Sequence, residues 1–195
     1  MPVKLAIFAS GGGSNARSIM DYFEHKDDKL HVTLLVSNKP EAGALSHASA
    51  CNVPTVVISN KEMRENPNKI LKVLDANQID AIALAGFLAL IPAQLTERYA
   101  GRILNIHPSL LPKYGGKGMY GIHVHRAVVE AGEEESGISI HQVNQHYDEG
   151  EIRFQRSLPL EEGETPESLQ KRVLKLEHFW YPRVIEQEFC VAPKA

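Results

Sequence analysis

Apolar runs alternate with amphipathic stretches along the first half of the chain. The runs have the near-continuous apolar character of parallel strands covered on both faces, and they lie at Val3–Ala9, 31–36, 54–58, 79–85 and 103–106. The stretches between them have helical spacing, which predicts helices over 16–23, 44–50, 61–76 and 92–99. Strands that alternate with helices predict an α/β protein with a mostly parallel sheet and helices on both faces.

The pattern changes after Ser136. Residues 137–143 and 151–158 alternate between apolar and polar side chains on either side of a polar loop. This period of two residues predicts a pair of antiparallel strands. The sheet should therefore end in a C-terminal antiparallel hairpin.

Prolines and caps refine two of the predicted helices. Pro67 is expected to start or interrupt the helix over 61–76, because proline has no N–H to donate inside a helix. The last helix is predicted to begin with Thr165 as its N-cap and Pro166 at its first position. Pro182 is expected to kink or restart that helix.

Size and charge limit the class of function. A chain of 195 residues that is 43% hydrophobic can bury one substantial core, so we predict a single domain over 1–188 and a tail over 189–195. The net charge of −3 and the lack of a basic cluster interleaved with aromatic residues argue for a small-molecule substrate and against a nucleic-acid partner. Two cysteines are too few for a disulfide framework or a thiolate metal site. No secretory segment or bilayer-length apolar run is found, which predicts a cytoplasmic protein without a membrane partner.

A glycine-rich turn follows the first predicted strand. Gly11, Gly12, Gly13, Ser14 and Asn15 stand between that strand and the first helix, where free backbone N–H groups can hold a phosphate. Glycines let the backbone approach an anion without obstruction by a Cβ atom. The spacing matches neither the dinucleotide fingerprint nor the P-loop. The alternative is that Ser14 or Asn15 only caps the helix.

Two polar residues end the strand over 103–106. Asn105 and His107 are two residues apart, so both project from one face of a strand. Pro108 ends the regular structure, which places both side chains at a rim. An amide donor beside an imidazole suits acyl transfer. The alternative is an asparagine that caps a turn and a histidine buried for packing.

Three features thus fall at the carboxyl ends of predicted strands: the glycine turn, the segment after Ala85, and the Asn105 and His107 pair. In open parallel sheets, ligands bind at this edge. The sequence therefore predicts one ligand site that these three segments share.

The same residues carry a family resemblance. The string Asn105-x-His107-Pro-Ser-Leu-Leu-Pro112, the Gly-Ser-Asn turn and the Asp148-x-Gly150 element together resemble the folate-dependent formyltransferases, over about residues 3–187. The resemblance implies a Rossmann-like formyltransferase fold and 10-formyltetrahydrofolate as co-substrate. The glycine turn is similar to that of members that formylate glycinamide ribonucleotide, which implies this acceptor and a place in purine synthesis.

The resemblance also implies roles for individual residues. The catalytic group would consist of Asn105, His107 and Asp148. The phosphate and ribose of the acceptor would be held by Gly11, Gly12, Gly13, Ser14, Asn15 and Glu177. The folate would contact Leu88, Leu90, Ile91 and Asn105.

Without the family resemblance, each of these residues also has a purely structural interpretation. Asp148 suits a turn, Glu177 suits a polar surface, and the segment 87–91 suits the core. In the family a basic residue near Lys61 or Arg64 helps to hold the folate tail, but each of these two side chains is more simply interpreted as a solvated charge.

The chain departs from the family pattern at three places. Ala89 stands where a basic residue is common, and Glu151 and Ile152 replace the usual continuation of the Asp-x-Gly element. The glycine-rich loop from Lys113 to Gly121 is longer than its counterpart in better-known members. That loop could be a lid or a substrate-recognition loop.

Formyl transfer to an amine passes through a tetrahedral intermediate, so the site needs a donor for the oxyanion and an acceptor for a proton. Asn105 and protonated His107 would donate, while Asp148 would raise the pKa of His107 and accept the proton through water. No metal is needed. His123 and His125 diverge at helical spacing, which predicts capping or surface roles rather than a zinc site.

Three rival functions remain open. A tRNA formyltransferase would need a basic C-terminal RNA-binding domain, and a formyltetrahydrofolate hydrolase usually carries an additional N-terminal regulatory domain; we expect neither here. A non-catalytic phosphate-binding module would explain the glycine turn but would leave the catalytic group without a role. A monomer or weak homodimer is expected.

Overall fold

The structure is a computed structural model, and it describes residues 1–26 and 28–190. Over these residues, seven strands form one sheet in the order β3-β2-β1-β4-β5-β6-β7. The strands are β1 Val3–Ala9, β2 Leu30–Ser37, β3 Thr55–Val57, β4 Ala81–Leu84, β5 Ile103–His107, β6 Glu135–Gln142 and β7 Ile152–Pro159. The first five pair in parallel, and β6 and β7 are antiparallel, as predicted.

The helices cover both faces of this sheet. They are α1 Ser14–Phe23, α2 Gly43–Ala50, α3 Asn60–Glu65, α4 Pro67–Ala76, α5 Ala93–Arg98, α6 Ile122–Glu130 and α7 Pro166–Cys190. The helix predicted over 61–76 is divided, because Asn66 has an extended φ of −139° and Pro67 begins α4. A residue before proline avoids the helical region, so the break falls where the sequence places its proline.

Burial on both faces follows from the period of the strands. On β1, Leu5 and Ile7 belong to one cluster of buried apolar side chains, while Ala6 and Phe8 belong to a second cluster. Successive side chains of a strand point to opposite faces, so a continuous apolar run supplies both clusters. The sheet therefore lies between two layers of helices.

The C-terminal helix α7 continues through Pro182, so of the two alternatives predicted for this residue, a kink or a restart, the restart does not occur. Proline cannot donate to the carbonyl four residues earlier, which belongs to His178. The hydroxyl of Ser18 on α1 donates to that carbonyl instead, at 2.8 Å. A tertiary hydrogen bond thus replaces the missing helical one, which the sequence alone does not reveal.

The ends of α7 test two further expectations. Thr165 caps the helix as predicted, since its hydroxyl accepts from the N–H of Ser168 at 3.2 Å. The first residues of the predicted tail, Phe189 and Cys190, are helical, and Phe189 is buried. The rest of the predicted tail, 191–195, lies outside the described residues.

Candidate active site

A cavity of about 710 Å³ opens at the carboxyl ends of the parallel strands. It is bounded by the turn after β1, the segment after β4, the end of β5, the loop before α6 and the middle of α7. Every residue predicted for the site lines it: Gly11, Gly12, Gly13, Ser14, Asn15, Leu88, Leu90, Ile91, Asn105, His107, Asp148 and Glu177. The segments at the ends of three strands thus meet at one cavity, as expected.

Asn105 and His107 share one face of β5, and Asp148 approaches both from the loop after β6. Oδ1 of Asp148 accepts from Nδ2 of Asn105 at 3.3 Å. Its other oxygen, Oδ2, lies 3.6 Å from Nδ1 of His107. Asp148 adopts a left-handed φ of 56°, a conformation that aspartate tolerates better than most residues. The loop thus turns the carboxylate back over the end of β5.

His141 completes the group, and the sequence analysis missed it. It lies opposite Asn105 in the β5–β6 register, and its Nε2 is 3.1 Å from Nδ2 of Asn105 and 3.5 Å from Oδ1 of Asp148. Its Nδ1 faces the carbonyl of Gln142 at 2.8 Å, and because a carbonyl only accepts, Nδ1 carries a proton. The alternation of polar and apolar residues along β6 was visible in the sequence, but the strand pairing was not.

The turn after His107 is built by buried hydroxyl groups. Ser109 donates to the carbonyl of Lys113 at 2.7 Å and closes the proline-containing turn. Ser139 on β6 accepts from the N–H of Leu111 and donates to the carbonyl of Ser109. Gln155 on β7 donates to the carbonyl of Leu111 at 2.9 Å. The antiparallel hairpin therefore fixes the turn that follows His107.

The loop after this turn contacts two of the predicted catalytic residues. Nε2 of His107 donates to the carbonyl of Tyr114 at 2.7 Å. The N–H of Gly116 donates to Oδ2 of Asp148 at 2.8 Å. Both ring nitrogens of His107 thus have partners within the protein, Tyr114 and Asp148.

Burial shifts the pKa of both His107 and Asp148. It lowers the pKa of His107 by more than the Asp148 carboxylate and the Tyr114 carbonyl raise it. The expected effect of Asp148 is present, but the predicted net rise in the pKa of His107 is wrong because the ring is buried. Burial alone raises the pKa of Asp148, yet the hydrogen bond from His141, the charge of His107 and the Gly116 N–H together hold it below its usual value. The ligand-free site therefore favours a neutral imidazole beside an ionised carboxylate.

At the other end of the cavity, the glycine turn leaves the start of α1 uncapped. Gly13 is the N-cap and no side chain accepts from the first turn, so the alternative in which Ser14 or Asn15 caps the helix does not hold. A Cβ atom at Gly13 would lie 2.5 Å from the Cα of Ala44, and its φ is 82°. Only glycine fits there, and free N–H groups at a helix start favour anions.

Glu177 lies beside this turn and is 7% exposed, which rules out the surface alternative. Nδ2 of Asn15 donates to its Oε2 at 2.5 Å. Burial raises the pKa of Glu177 to about 7, although the Asn15 bond lowers it somewhat. The Oδ1 atom of Asn15 is buried without a hydrogen-bond partner. This end of the cavity thus offers acceptors to a ligand's hydroxyl groups.

The segment after β4 is only partly core. Leu88 and Leu90 are 44% and 49% exposed in the cavity wall, whereas Phe87 and Ile91 are buried. The N–H of Leu88 donates to Ser10 at 2.9 Å, which ties this segment to the end of β1. Exposed leucines inside a cavity favour an apolar ligand group.

Charged and aromatic residues that the sequence analysis did not single out also line the cavity: Lys117, Lys171, Tyr120 and Tyr147. Tyr120 and Tyr147 are exposed, and no acidic partner of Lys117 or Lys171 is found in the described part of the chain. Lys61 and Arg64, by contrast, lie on α3 and do not line the cavity.

Residues 1–26 and 28–190 contain no group of three or more His, Cys, Asp or Glu side chains that could hold a metal ion. His125 is 2% exposed and lines the cavity, so the predicted capping or surface role is wrong for this residue, although His123 is exposed.

Among the helices described, none has the length and apolar character needed to cross a membrane.

The chain matches the family model for formyl transferase over residues 3–185. It is 44% identical to phosphoribosylglycinamide formyltransferase, chloroplastic, of Arabidopsis thaliana, a match that covers 93% of this chain and 64% of that protein. It is 36% identical to phosphoribosylglycinamide formyltransferase of Bacillus subtilis, with 94% and 93% covered. The chain spans less than two thirds of two plant relatives, 64% of the Arabidopsis protein and 60% of one from Vigna unguiculata.

Solved structures share the fold over the whole chain. Glycinamide ribonucleotide transformylase 1 from Geobacillus kaustophilus superposes with a TM-score of 0.88 at 38% identity, and the match covers 97% of this chain and 100% of that one. Phosphoribosylglycinamide formyltransferase from Brucella melitensis gives the same TM-score, 0.88, at 34% identity, with both chains fully covered.

Proposed function

Because the chain belongs to the formyl transferase family, we propose that it transfers the formyl group of 10-formyltetrahydrofolate to the amine of glycinamide ribonucleotide. The products would be formylglycinamide ribonucleotide and tetrahydrofolate, a step of purine synthesis. The observation that carries the proposal is the meeting of Asn105, His107 and Asp148 in the cavity that also holds the glycine turn. The names of the bacterial relatives support this acceptor.

The two ends of the cavity suit the two substrates. The uncapped start of α1 would hold the phosphate, and the acceptors on Asn15 and Glu177 would bind ribose hydroxyl groups. The exposed faces of Leu88 and Leu90, with Ile91 behind them, would contact the pterin ring. The amine and the formyl group would then meet near the end of β5.

At that point, the attacking amine converts the formyl carbon into a tetrahedral centre and places negative charge on its oxygen. A single well-placed donor to such an oxyanion typically contributes about 3 to 4 kcal/mol. Asn105 and His107 are the donors we assign. The N–H groups of Asn105 already face Asp148 and His141, while Nε2–H of His107 faces the Tyr114 carbonyl. We propose that the formyl oxygen replaces Asp148 or His141 when substrate binds.

The attacking nitrogen must also lose a proton. Asp148 is held ionised by its hydrogen-bond donors, which suits it to accept that proton through water. His107 would take up a proton from solvent as substrate binds, because Asp148 stabilises the imidazolium. When the tetrahedral centre collapses, the bond between the formyl carbon and the folate nitrogen breaks, and that nitrogen leaves with the proton that water and Asp148 took from the amine. No step requires a nucleophilic side chain.

Of the rival functions, a formyltetrahydrofolate hydrolase would use the same residues to activate water. A tRNA formyltransferase is less well supported, since the bacterial relative that the chain covers almost completely is a phosphoribosylglycinamide formyltransferase. A phosphate-binding module would require only the glycine turn. Separate titration with a folate analogue and with glycinamide ribonucleotide distinguishes this last case, because a phosphate binder should ignore the folate.

The decisive experiment follows the absorbance change on deformylation of 10-formyl-dideazafolate, with and without glycinamide ribonucleotide. We expect deformylation that requires the ribonucleotide and is lost in His107→Ala. Deformylation without the ribonucleotide would indicate a hydrolase. No deformylation under either condition would reject both enzymes.

Two assignments remain predictions. The cytoplasm is the predicted compartment, while the Arabidopsis relative is named chloroplastic. A monomer or weak homodimer is the predicted assembly.

A further inference from the structure

Residues 113–116, here called the clamp segment, contact both ionisable members of the proposed catalytic group. The Tyr114 carbonyl accepts from Nε2 of His107 at 2.7 Å, and the Gly116 N–H donates to Oδ2 of Asp148 at 2.8 Å. One short stretch of backbone thus holds the two side chains, which come from different strands and loops. Main-chain atoms make these contacts, so they cannot be predicted from the types of residue in the sequence.

The conformation of the clamp segment depends on its two glycines. Tyr114 has a φ of 56° and Gly116 a φ of 92°, which turn a carbonyl and an N–H toward the same pair of side chains. Gly115 lies so close to its surroundings that a Cβ atom would be 2.6 Å from Cδ2 of Leu111 and 3.3 Å from Cβ of Asp148. Gly115 therefore lets the segment lie directly against Asp148.

Glu133, in the turn between α6 and β6, anchors the segment to the body of the fold. The Tyr114 hydroxyl donates to its Oε1 at 2.8 Å, and Nζ of Lys113 donates to both of its oxygens, at 2.9 and 3.0 Å. The Tyr114 ring also packs against the core. These contacts tether the segment away from the cavity, on its outer side.

We propose that the clamp segment positions the proposed catalytic pair, and that Gly115, Tyr114 and Glu133 are positioning residues for formyl transfer. The Tyr114 carbonyl fixes Nε2 of His107 as a protonated nitrogen, so Nδ1, the nitrogen facing Asp148, exchanges the proton. The Gly116 N–H holds the Asp148 carboxylate in the same orientation. This inference rests on the proposed function.

Two substitutions release the clamp in different ways. Glu133→Ala removes the anchor, and Gly115→Ala inserts a methyl group between the segment and Asp148. A misplacement of about 1 Å can cost on the order of 100-fold in rate, so we expect kcat to fall roughly 3- to 10-fold in Glu133→Ala and roughly 10- to 100-fold in Gly115→Ala. KM for both substrates should stay within about twofold, because the residues that would bind them are unchanged.

Controls separate positioning from general loss of stability. Glu133→Gln keeps an oxygen that accepts from Tyr114 and Lys113, and should recover most of the activity. Asp75→Ala removes a carboxylate from an exposed ion pair with Arg98, outside the cavity, and should leave kcat unchanged. Equal kcat in wild type and Gly115→Ala would overturn the proposal, as would a loss in Glu133→Ala that tracks only the melting temperature.

A second readout does not depend on activity. NMR titration of ¹³C-labelled histidine, with His107→Ala to assign the signal, reports the protonation of His107 in the folded chain. Loss of the Tyr114 carbonyl should lower the pKa of His107 further in Gly115→Ala, since that carbonyl raises it. The other titratable groups facing the ring are Asp148 and His141, with His125 on α6.

The two readouts distinguish failure of the clamp from failure of the proposed function. An unchanged His107 titration in Gly115→Ala would overturn the clamp even if the enzyme is active. A shifted titration in a protein that does not deformylate the folate would support the clamp as a structural device and reject the proposed reaction.

Discussion

At the scale of the residue, Glu177 is a buried carboxyl group whose ionisation opposes folding. Its pKa in the folded chain is about 7, against an ordinary value of 4.5. Below pH 4.5 the carboxyl is protonated whether the chain is folded or unfolded, so it has no effect on stability. As the pH rises from 4.5 to about 7 the unfolded chain ionises first, and stability is lost. Above that range the loss is complete, at roughly 3 kcal/mol.

We therefore predict that Glu177→Gln gains stability relative to wild type as the pH rises. Glutamine keeps an acceptor for Asn15 and has no charge to bury. Urea unfolding at pH 4 and pH 8 should show the difference between variant and wild type increase by roughly 3 kcal/mol. A difference that does not change with pH would contradict the assigned pKa.

Asp148→Asn removes the charge of the carboxylate but keeps the shape of the side chain. Asparagine still offers an oxygen to the Gly116 N–H, so the loop should stay in place. The variant can neither accept the proton of the amine nor stabilise the His107 imidazolium, and kcat should fall roughly 10²- to 10⁴-fold. Steady-state kinetics measure this, with thermal unfolding as the check on the fold. A kcat near that of wild type would remove Asp148 from the mechanism.

Some residues of the candidate site could be predicted from the sequence, and others could not. Asn105 and His107 were visible because strand spacing alone puts them on one face. His141 and His125 were not, since the register of β6 and the burial of the start of α6 decide that they reach the cavity. The net pKa of His107 was predicted with the wrong sign, because desolvation depends on burial, which a motif does not report.

At the scale of the element, α7 shows how a tertiary contact preserves a helix. Ser18→Ala should leave the partly buried carbonyl of His178 without this donor, and we predict a loss of about 1 kcal/mol in the free energy of unfolding. Urea unfolding measures it.

The same pair allows a double-mutant test. Pro182→Ala supplies the N–H that the His178 carbonyl lacks, so Ser18→Ala should cost close to nothing in that background. Equal costs of Ser18→Ala beside Pro182 and beside alanine would show that the hydroxyl does not replace the helical bond.

Most elements followed from pattern. The parallel strands were recognised as apolar runs, and the hairpin as alternation, because each period matches the burial of its faces. The helical pattern over 61–76 forms two helices, and the division falls at Pro67, where a start or interruption was predicted. Whether a proline ends a helix, as at Pro67, or is accommodated, as at Pro182, depends on what packs against it.

At the scale of the whole molecule, Tyr181 joins the last helix to the centre of the sheet. Its fully buried hydroxyl lies 3.0 Å from the carbonyl of Leu84, at the end of β4, and 2.9 Å from that of Leu104, near the start of β5. Burial raises the pKa of this hydroxyl well above its usual value, so it remains a donor.

We predict that Tyr181→Phe lowers the free energy of unfolding by about 1 kcal/mol, since it removes a buried hydrogen bond and keeps the ring. Differential scanning calorimetry measures the change. An unaltered melting temperature would show that the Tyr181 hydroxyl does not help to hold α7 against the sheet.

The extent of the domain is a related expectation. We propose that residues 1–188 form one formyltransferase domain, because the two apolar clusters lie on opposite faces of a single sheet.

The sequence by itself determined the α/β class, the edge of the sheet that carries the cavity, and the family to which the chain belongs. These depend on local periodicity and on short strings such as the one from Asn105 to Pro112, which the chain carries whatever its fold. Tertiary structure alone decided that His141 and the clamp segment meet the predicted residues, that Glu177 is buried, and that Ser18 completes α7. Such features depend on pairs of residues far apart in the chain, and only packing sets their distances and their loss of water.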